Sequence, residues 1–407
     1  MSVEQTFVVV GASLAGTKAV EGMREAGFDG RIVLVGKEKD LPYDRPPLSK
    51  GLLKGETPDD EVFLHEPGWY GEARVELRLG TPVDAIDRAA HEVELAGGER
   101  LHYDKLLLAT GSMPRKLPLP GADLAGVHYL RRLGDARAIR DAVTRGGRVV
   151  IVGAGWIGLE VAAGARHHGA SVTVVEPAPT PFYGVLGERL GTVFADLHRR
   201  NGVDLRTGTG VEAIEGTDTV TGVRLTGGEV VPADAVIIGV GARPNTRLAE
   251  AAGLAVDGGV LVDEWLRTSD PDIYAAGDIA SVAHALIGER VRVEHWANAN
   301  DQGLAAGRSM AGAGAPWDVL PFFYTDQYDL GMEYHGWVGA GGSDDLVIRG
   351  DVDALDFDAF WLRENQVLAG MHVNRWDDSD PIKELARTRA KVDRDRLADP
   401  AVPLSEL

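Results

Sequence analysis

Apolar residues in this chain gather into short unbroken runs separated by amphipathic stretches, and one arrangement of them occurs twice. Phe7-Val8-Val9-Val10 runs into Gly11-Ala12-Ser13-Leu14-Ala15-Gly16. The same order returns 142 residues later, where Val149-Val150-Ile151-Val152 runs into Gly153-Ala154-Gly155-Trp156-Ile157-Gly158. Each predicts a strand, a glycine turn and a helix. A second apolar run follows each helix and ends on an acid: Ile32-Val33-Leu34-Val35-Gly36-Lys37-Glu38 and Val172-Thr173-Val174-Val175-Glu176. One such unit holds one dinucleotide. Two units in one chain imply two dinucleotides, and electron transfer between them is the usual reason to bring them together.

Strand-like and helical stretches alternate through the first two-thirds of the chain, which predicts an α/β fold with parallel sheets. The first unit ends at Tyr103-Asp104-Lys105-Leu106-Leu107-Leu108-Ala109-Thr110-Gly111-Ser112, and Pro114, Pro118, Pro120 and Gly121 then mark a crossing point. The second ends on a similar phrase, Asp234-Ala235-Val236-Ile237-Ile238-Gly239-Val240-Gly241-Ala242-Arg243-Pro244-Asn245. Ile273-Tyr274-Ala275-Ala276-Gly277-Asp278 reads as a strand and turn returning to the first unit, followed by a helix over Ala297–Met310. Alternating strands rich in aromatics predict a third, α+β region beyond it. The expected division is a discontinuous domain over 1–113 and 246–316, an inserted domain over 114–245, and a C-terminal domain over 317–407. An Ala/Gly-rich stretch at 305–315 is the one compositional oddity.

In each glycine turn the first Gly permits the tight bend and the middle small residue lets backbone approach a pyrophosphate. The last Gly lets the helix pack on the strand, so that its N-terminal amides face the anion. Gly153, Gly155 and Gly158 fit this fully; the first copy has Gly11, Ser13 and Gly16, with Ser13 still able to donate a hydrogen bond. Glu38 and Glu176 stand where a carboxylate accepts from an adenosine ribose 2′-hydroxyl and repels a 2′-phosphate. Pro177-Ala178-Pro179-Thr180-Pro181 follows Glu176 with no cation, so NADH is expected over NADPH at the second site.

Composition narrows the chemistry. At 407 residues the chain exceeds one core, and two or three domains are expected. A net charge of −20 makes nucleic acid a poor partner. Cysteine is absent, which removes thiolate metal sites, iron–sulfur ligation and disulfide redox pairs by this chain. Electrons must therefore reside on an organic cofactor. No basic, apolar leader and no membrane-length apolar run is found, so a soluble cytoplasmic protein, monomeric or weakly homodimeric, is expected.

Further phrases complete the picture. Tyr43-Asp44-Arg45-Pro46-Pro47-Leu48-Ser49-Lys50, Ala109-Thr110-Gly111, Gly241-Ala242-Arg243-Pro244-Asn245, Ala276-Gly277-Asp278, Glu294-His295-Trp296 and Phe323-Tyr324-Thr325-Asp326-Gln327-Tyr328 occur in that order. With the two glycine turns, this set resembles the FAD- and NADH-dependent ferredoxin reductases of bacterial oxygenase and cytochrome P-450 systems, the putidaredoxin reductase type. That group is related in fold to rubredoxin reductase and apoptosis-inducing factor. The resemblance covers nearly the whole chain.

It implies FAD on the first unit and NADH on the second, with hydride passing from NADH to the flavin and electrons leaving singly to an acidic 2Fe–2S ferredoxin. Lys50 is implied beside the flavin, paired with Glu160 from the helix after the second glycine turn; Glu160 would also accept from the nicotinamide carboxamide. Asp278 is implied at the ribityl chain, Arg45 and Arg115 in the FAD pocket, and Thr110 and Gly111 in a turn beside it. Trp296 is implied to open a helix whose N-terminus faces the flavin edge where reduction builds negative charge. Lys37, Pro46, Val83, Ala109, Gly277, Glu294, His295 and Tyr324 are implied as further FAD contacts, and Trp156, Ile157 and Gly241 as NADH contacts. Two departures stand out: Tyr324 occupies a place that is often Trp, and Gly184 one that is often Arg.

Arg131, Arg132, Arg308, Arg349, Arg363 and Arg375 are candidates for a basic docking patch. His167 and His168 read as solvated, and Trp337, Trp361 and Trp376 as the core of the third region. Acceptors other than ferredoxin (rubredoxin, oxygen or a quinone) and a redox-sensing binder like apoptosis-inducing factor remain alternatives.

Overall fold

The computed structural model describes residues 5–407. The stretch at residues 1–4, over which a leader was sought, lies outside them. Two parallel five-stranded sheets carry the two glycine turns. In the first the strand order is Ile273–Ala275, Lys105–Leu108, Thr6–Val10, Arg31–Val35, Val75–Arg78. In the second it is Asp204–Thr207, Ser171–Glu176, Arg148–Val152, Ala235–Ile238, Val127–His128. Each glycine turn thus leaves the central strand of its sheet, with sequence neighbours on one side and a returning strand on the other. That reversal of strand order opens the crevice where such sheets bind ligands. The strand Ile273–Ala275 does return to the first sheet.

The chain crosses between the two sheets at Ser112–Pro114 and again at Ala242–Pro244. These two segments pair with each other as an antiparallel ribbon. Asn245 fastens it by donating its side-chain amide to the Thr110 carbonyl (2.8 Å), while the Thr110 hydroxyl donates to the Asn245 carbonyl (3.0 Å).

The first turn's helix, Leu14–Glu25, packs against the helix Trp296–Met310. A Cβ on Gly307 would stand 2.1 Å from the Ala19 carbonyl oxygen, and one on Gly303 2.5 Å from that of Ala15. The two helices therefore touch backbone to backbone. Part of the Ala/Gly-rich stretch is this contact surface, since Ala306 is fully buried beside Gly307.

The C-terminal region is an antiparallel sheet ordered Phe322–Gln327, Leu330–Gly336, Gln366–Val373, Asp356–Arg363, Asp345–Asp351. Alternation along Asp356–Arg363 sends Phe357, Ala359 and Trp361 toward the second nucleotide unit, where they share a core with Leu159 and Phe194. Phe360 and Leu362 face the other way, onto the helix Ser379–Thr388. Trp376 departs from the expected core role: it is 55% exposed and packs edge-on against His372. His168 is held as well, its ring against the Leu53 carbonyl at 2.9 Å, while His167 is exposed.

Two of the buried histidines in this framework are shifted far from their ordinary range. His198, on the helix Tyr183–Arg200, and His335, in the C-terminal sheet, are each pushed down to about 4 by burial. In the unfolded chain both titrate near ~6.5. The fold therefore holds them neutral, and their contribution is fully present above the unfolded value and lost as pH falls toward 4. Each should remove about 1.4 kcal/mol of stability per pH unit across that window. Thermal unfolding followed from pH 7 to pH 4.5 should show a falling midpoint below pH 6.5. A midpoint that stays flat between pH 6.5 and 5 would contradict the assignment.

Candidate functional site

The first cradle begins at Gly11, where φ is +126° and a Cβ would lie 2.1 Å from the Ala109 carbonyl oxygen. Only glycine fits there. The helix that follows starts at Ser13 with no side-chain cap, so its first amides have no partner from that residue. A cavity of about 480 Å³ opens beside it, lined by Gly11, Ser13, Lys37, Glu38, Val83 and Thr110. Glu38 accepts from the Tyr43 hydroxyl at 2.5 Å and from Arg45 at 2.9 Å. Burial pushes this carboxyl up, but Arg45 and Tyr43 more than offset it and hold it below its ordinary range. The same burial, with Glu38 alongside, pushes the Tyr43 hydroxyl up to about 12. Tyr43 thus stays a neutral donor that locks the acid at the strand end.

A second cavity of about 270 Å³ continues from the first, since Ser13, Arg45, Ala109, Thr110 and Arg131 line both. Its walls include Leu14, Ala15, Pro46, Gly111, Gly277, Glu294 and Tyr324. Asp278 accepts from Ser112 Oγ at 2.6 Å and from Arg131 at 3.1 Å. His295 is the residue before the helix Trp296–Met310, again without a side-chain cap. Its ring packs against Phe323 at 4.7 Å, and burial lowers it to about 4. Its Nδ1 has no partner among the described residues. The Trp296 indole donates to Asp44 at 2.6 Å.

Lys50 and Glu160, on the wall of this cavity, form an ion pair at 2.9 Å. Lys50 Nζ also lies 3.5 Å from Asp326 and 5.1 Å from the Tyr324 ring. Glu160 is buried and accepts from Ser49 Oγ at 2.6 Å and Thr325 Oγ1 at 2.7 Å. Ser49 and Thr325 sit inside two phrases already visible in the sequence, but nothing in their spacing ties them to a residue more than a hundred positions away.

The second cradle repeats the first. Gly153 has φ +104°, and a Cβ there would stand 2.4 Å from the Gly239 carbonyl oxygen. Gly153, Gly155, Glu176 and Gly241, with Leu117 and Leu119, line a cavity of about 540 Å³. Trp156, Ile157 and Glu160, at the start of the helix Trp156–His167, face the 270 Å³ cavity instead. That helix N-terminus stands between the two sites. Trp156 is stacked on Phe182 at 3.9 Å and meets Phe323 edge-on at 4.8 Å. The Glu176 carboxylate accepts from the Ala154 amide at 2.8 Å and the Ala178 amide at 2.9 Å. Gly16 and Gly158 line none of these three cavities; each packs its helix onto the turn, with room for no Cβ against the Gly11 or Gly153 carbonyl oxygen.

Some residues fall elsewhere than expected. Arg115 lines none of these three cavities: it donates to the Ala242 carbonyl at 3.0 Å, and its stem lies against Gly241 on the second cradle. Gly184 borders open space, beside the exposed Tyr183 and Val185. Of the six arginines named as docking candidates, five have partners within the chain. Arg131 is in the 270 Å³ cavity on Asp278, Arg308 pairs with Glu25, and Arg375 pairs with Asp356 and Asp378. Arg349 is buried, donating to the Leu397 and Val402 carbonyls, and Arg363 donates to those of Val338 and Gly342. Arg132 borders the 480 Å³ cavity. Among the described residues no helix is long and apolar enough to cross a membrane.

This geometry has close counterparts among known proteins. The ferredoxin reductase subunit of 5,5'-dehydrodivanillate O-demethylase from a Sphingobium species is 40% identical over 403 residues, covering 98% of this chain and 97% of that protein. Putidaredoxin reductase of Pseudomonas putida is 37% identical over 413 residues, covering 100% of this chain and 97% of the relative. The crystal structure of the covalent putidaredoxin reductase–putidaredoxin complex superposes with a TM-score of 0.95 at 38% identity, over 99% of this chain and 97% of the matched one. The reductase C-terminal family matches residues 322–407. The match over residues 5–303 is to the pyridine nucleotide-disulphide oxidoreductases, and the chain belongs to that family, in a form with no cysteine to carry the disulphide of its name.

Proposed function

We propose that this chain is an NADH-dependent, FAD-containing ferredoxin reductase that feeds a 2Fe–2S ferredoxin serving an oxygenase or a cytochrome P-450. The observation that carries the reading is two glycine cradles, with the Lys50–Glu160 pair on the wall of the cleft at the first and Glu160 in the first turns of the helix that starts at the second. The 480 and 270 Å³ cavities join into one elongated cleft from Glu38 to Tyr324, and the 540 Å³ cavity is bounded by Gly155, the residue before Trp156 on the wall of that cleft. A cradle where a Cβ would collide with backbone, a locked acid at one end and an apolar, aromatic-walled end at the other fit FAD. FAD bound there would supply the redox chemistry, hydride acceptance from NADH and one-electron release.

The division of labour we assign follows the sheets: 1–113 with 246–316 for FAD, 114–245 for NADH, 317–407 closing the flavin end. Glu38, Lys37, Val83 and Arg45 hold the adenosine end; Asp278, fixed by Ser112 and Arg131, takes the ribityl chain. Glu176, held by two backbone amides, stands ready for the second adenosine ribose and excludes a 2′-phosphate by charge. Glu160 accepts from the nicotinamide carboxamide while neutralising Lys50. The uncapped N-terminus at Trp296 offers partial positive charge where negative charge develops. Catalysis by these groups is positioning, with reacting atoms brought within about 3–3.5 Å. With no cysteine in the chain, no disulphide of its own can take the electrons. The relatives named above are reductase partners of oxygenases and of putidaredoxin, which supports a ferredoxin as the acceptor. We place the enzyme in the cytoplasm, as a monomer or weak dimer.

Cytochrome c reduction by NADH tests the acceptor: it should be slow with the reductase alone and rise on adding a 2Fe–2S ferredoxin. Equal rates with and without ferredoxin, together with an NADH-driven change in oligomeric state, would instead mark a redox-sensing binder. In stopped flow, Lys50→Ala and Glu160→Gln should slow flavin reduction on the order of 10- to 100-fold, the scale lost when a reacting pair is misplaced by about 1 Å, while FAD stays bound. Parallel loss of FAD from both variants would make the pair structural. Glu176→Ala should relax the NADH over NADPH preference by about tenfold, or about 1.4 kcal/mol; an unchanged ratio would remove Glu176 from the ribose site.

A further inference from the structure

Glu160 is held from three directions, and one of them leads away from the cofactors. Ser49 and Lys50 reach it from the segment before the helix Gly51–Lys54. Thr325 reaches it from the C-terminal strand Phe322–Gln327, and behind Thr325 stands a line of buried polar side chains. Gln327 Nε2 donates to Thr325 Oγ1 at 3.2 Å. Gln327 Oε1 lies 2.8 Å from His198 Nε2. His198 Nδ1 lies 3.5 Å from the Tyr328 hydroxyl, with the two rings packed edge to face. Thr325, Gln327 and His198 are each no more than 1% exposed.

The carboxylate fixes the sense of this line. It has no proton to give, so the Thr325 hydroxyl donates to it. The Thr325 oxygen then accepts from the Gln327 amide nitrogen, which turns the Gln327 carbonyl toward His198. His198 must offer Nε2–H, leaving Nδ1 bare toward Tyr328. Every hydrogen bond points the same way, toward Glu160. Thr325 and Gln327 lie two apart on one face of their strand, as the pleat requires, while Tyr324 on the opposite face lines the 270 Å³ cavity. His198 belongs to the helix Tyr183–Arg200, preceded by Phe182, whose ring stacks on Trp156 at the second cradle.

We propose that His198, acting through Gln327 and Thr325, is a positioning residue for Glu160: it fixes which way the carboxylate faces at the junction of the two cofactor sites. This rests on the reading of Glu160 as the group that meets the nicotinamide. A carboxylate held only by Ser49 and Lys50 keeps torsional freedom that the Thr325 bond removes, and a Thr325 hydroxyl without Gln327 behind it is itself free to rotate. The line thus hands the order of a helix beside the NADH cradle to one oxygen pair beside the flavin.

The test uses the holoenzyme and four variants. His198→Phe removes the donor and keeps a ring; Thr325→Val removes the hydroxyl; His198→Gln restores an N–H; Glu160→Gln is the reference. Limiting flavin reduction at saturating NADH should fall about tenfold in His198→Phe and Thr325→Val, with FAD content and NADH dissociation constant unchanged. The double variant should be no slower than either single one, and His198→Gln should recover most of the rate. Wild-type rates in His198→Phe and Thr325→Val, beside a slow Glu160→Gln, would overturn the proposal and leave the Glu160 reading intact. A fast Glu160→Gln would overturn both. Should His198→Phe fail to fold, nitrogen NMR of imidazole-labelled holoenzyme decides at pH 7. The resonance lost in His198→Gln should be a neutral Nε2–H imidazole that shifts in Thr325→Val; an Nδ1–H tautomer would overturn the proposal.

Discussion

Three helices begin at one cavity, and none of the three has a side chain capping its first turn. Leu14–Glu25, Trp156–His167 and Trp296–Met310 follow Ser13, Gly155 and His295, and residues from the first turn of each line the same space. Each start carries partial positive charge and amides in need of acceptors. Convergence of three such ends is unfavourable unless something anionic or charge-accepting sits among them. Two dinucleotides with their pyrophosphates, and a flavin that gains charge on reduction, meet that need. Much of the remaining architecture serves to bring these ends together.

The means are backbone contacts that admit no side chain. Gly11 and Gly153 press against carbonyls of the returning strands, so each turn is as tight as its sheet permits. Gly22, Gly303 and Gly307 let the first and third helices touch along their backbones, which sets where Trp296 stands. The paired ribbon of Ser112–Pro114 and Ala242–Pro244 ties the second unit to the first at both of its crossings. The C-terminal sheet then closes the flavin end with Phe323 and Tyr324 and supports Glu160 from behind with Thr325. Such contacts forbid the larger side chains that tolerant surface positions accept.

The cradles, their strands and the acids at the strand ends were legible in the sequence because each is local: a few residues in fixed order dictate one geometry. The Lys50–Glu160 pair was legible only through resemblance, since 110 positions separate the two. Tyr43, Ser49 and Thr325 stood in quoted phrases yet gave no sign of their partners, because a hydroxyl's role depends on what the fold brings to it. Arginines misled for the opposite reason. Read as surface charge, Arg349 turns out to lie inside on carbonyls near the C-terminus, and Arg131 half-buried on Asp278. Arg115, implied by the resemblance in the FAD pocket, instead follows the ribbon and donates to the Ala242 carbonyl across it. Trp376, an apolar residue by composition, caps a histidine at the surface.

The central claim is that the cleft from Glu38 to Tyr324 holds FAD. The absorption spectrum of the purified chain tests it most directly. The account predicts a yellow protein with about one FAD per chain, whose flavin band bleaches when NADH is added without air. A colourless chain that stays colourless after incubation with FAD would contradict it.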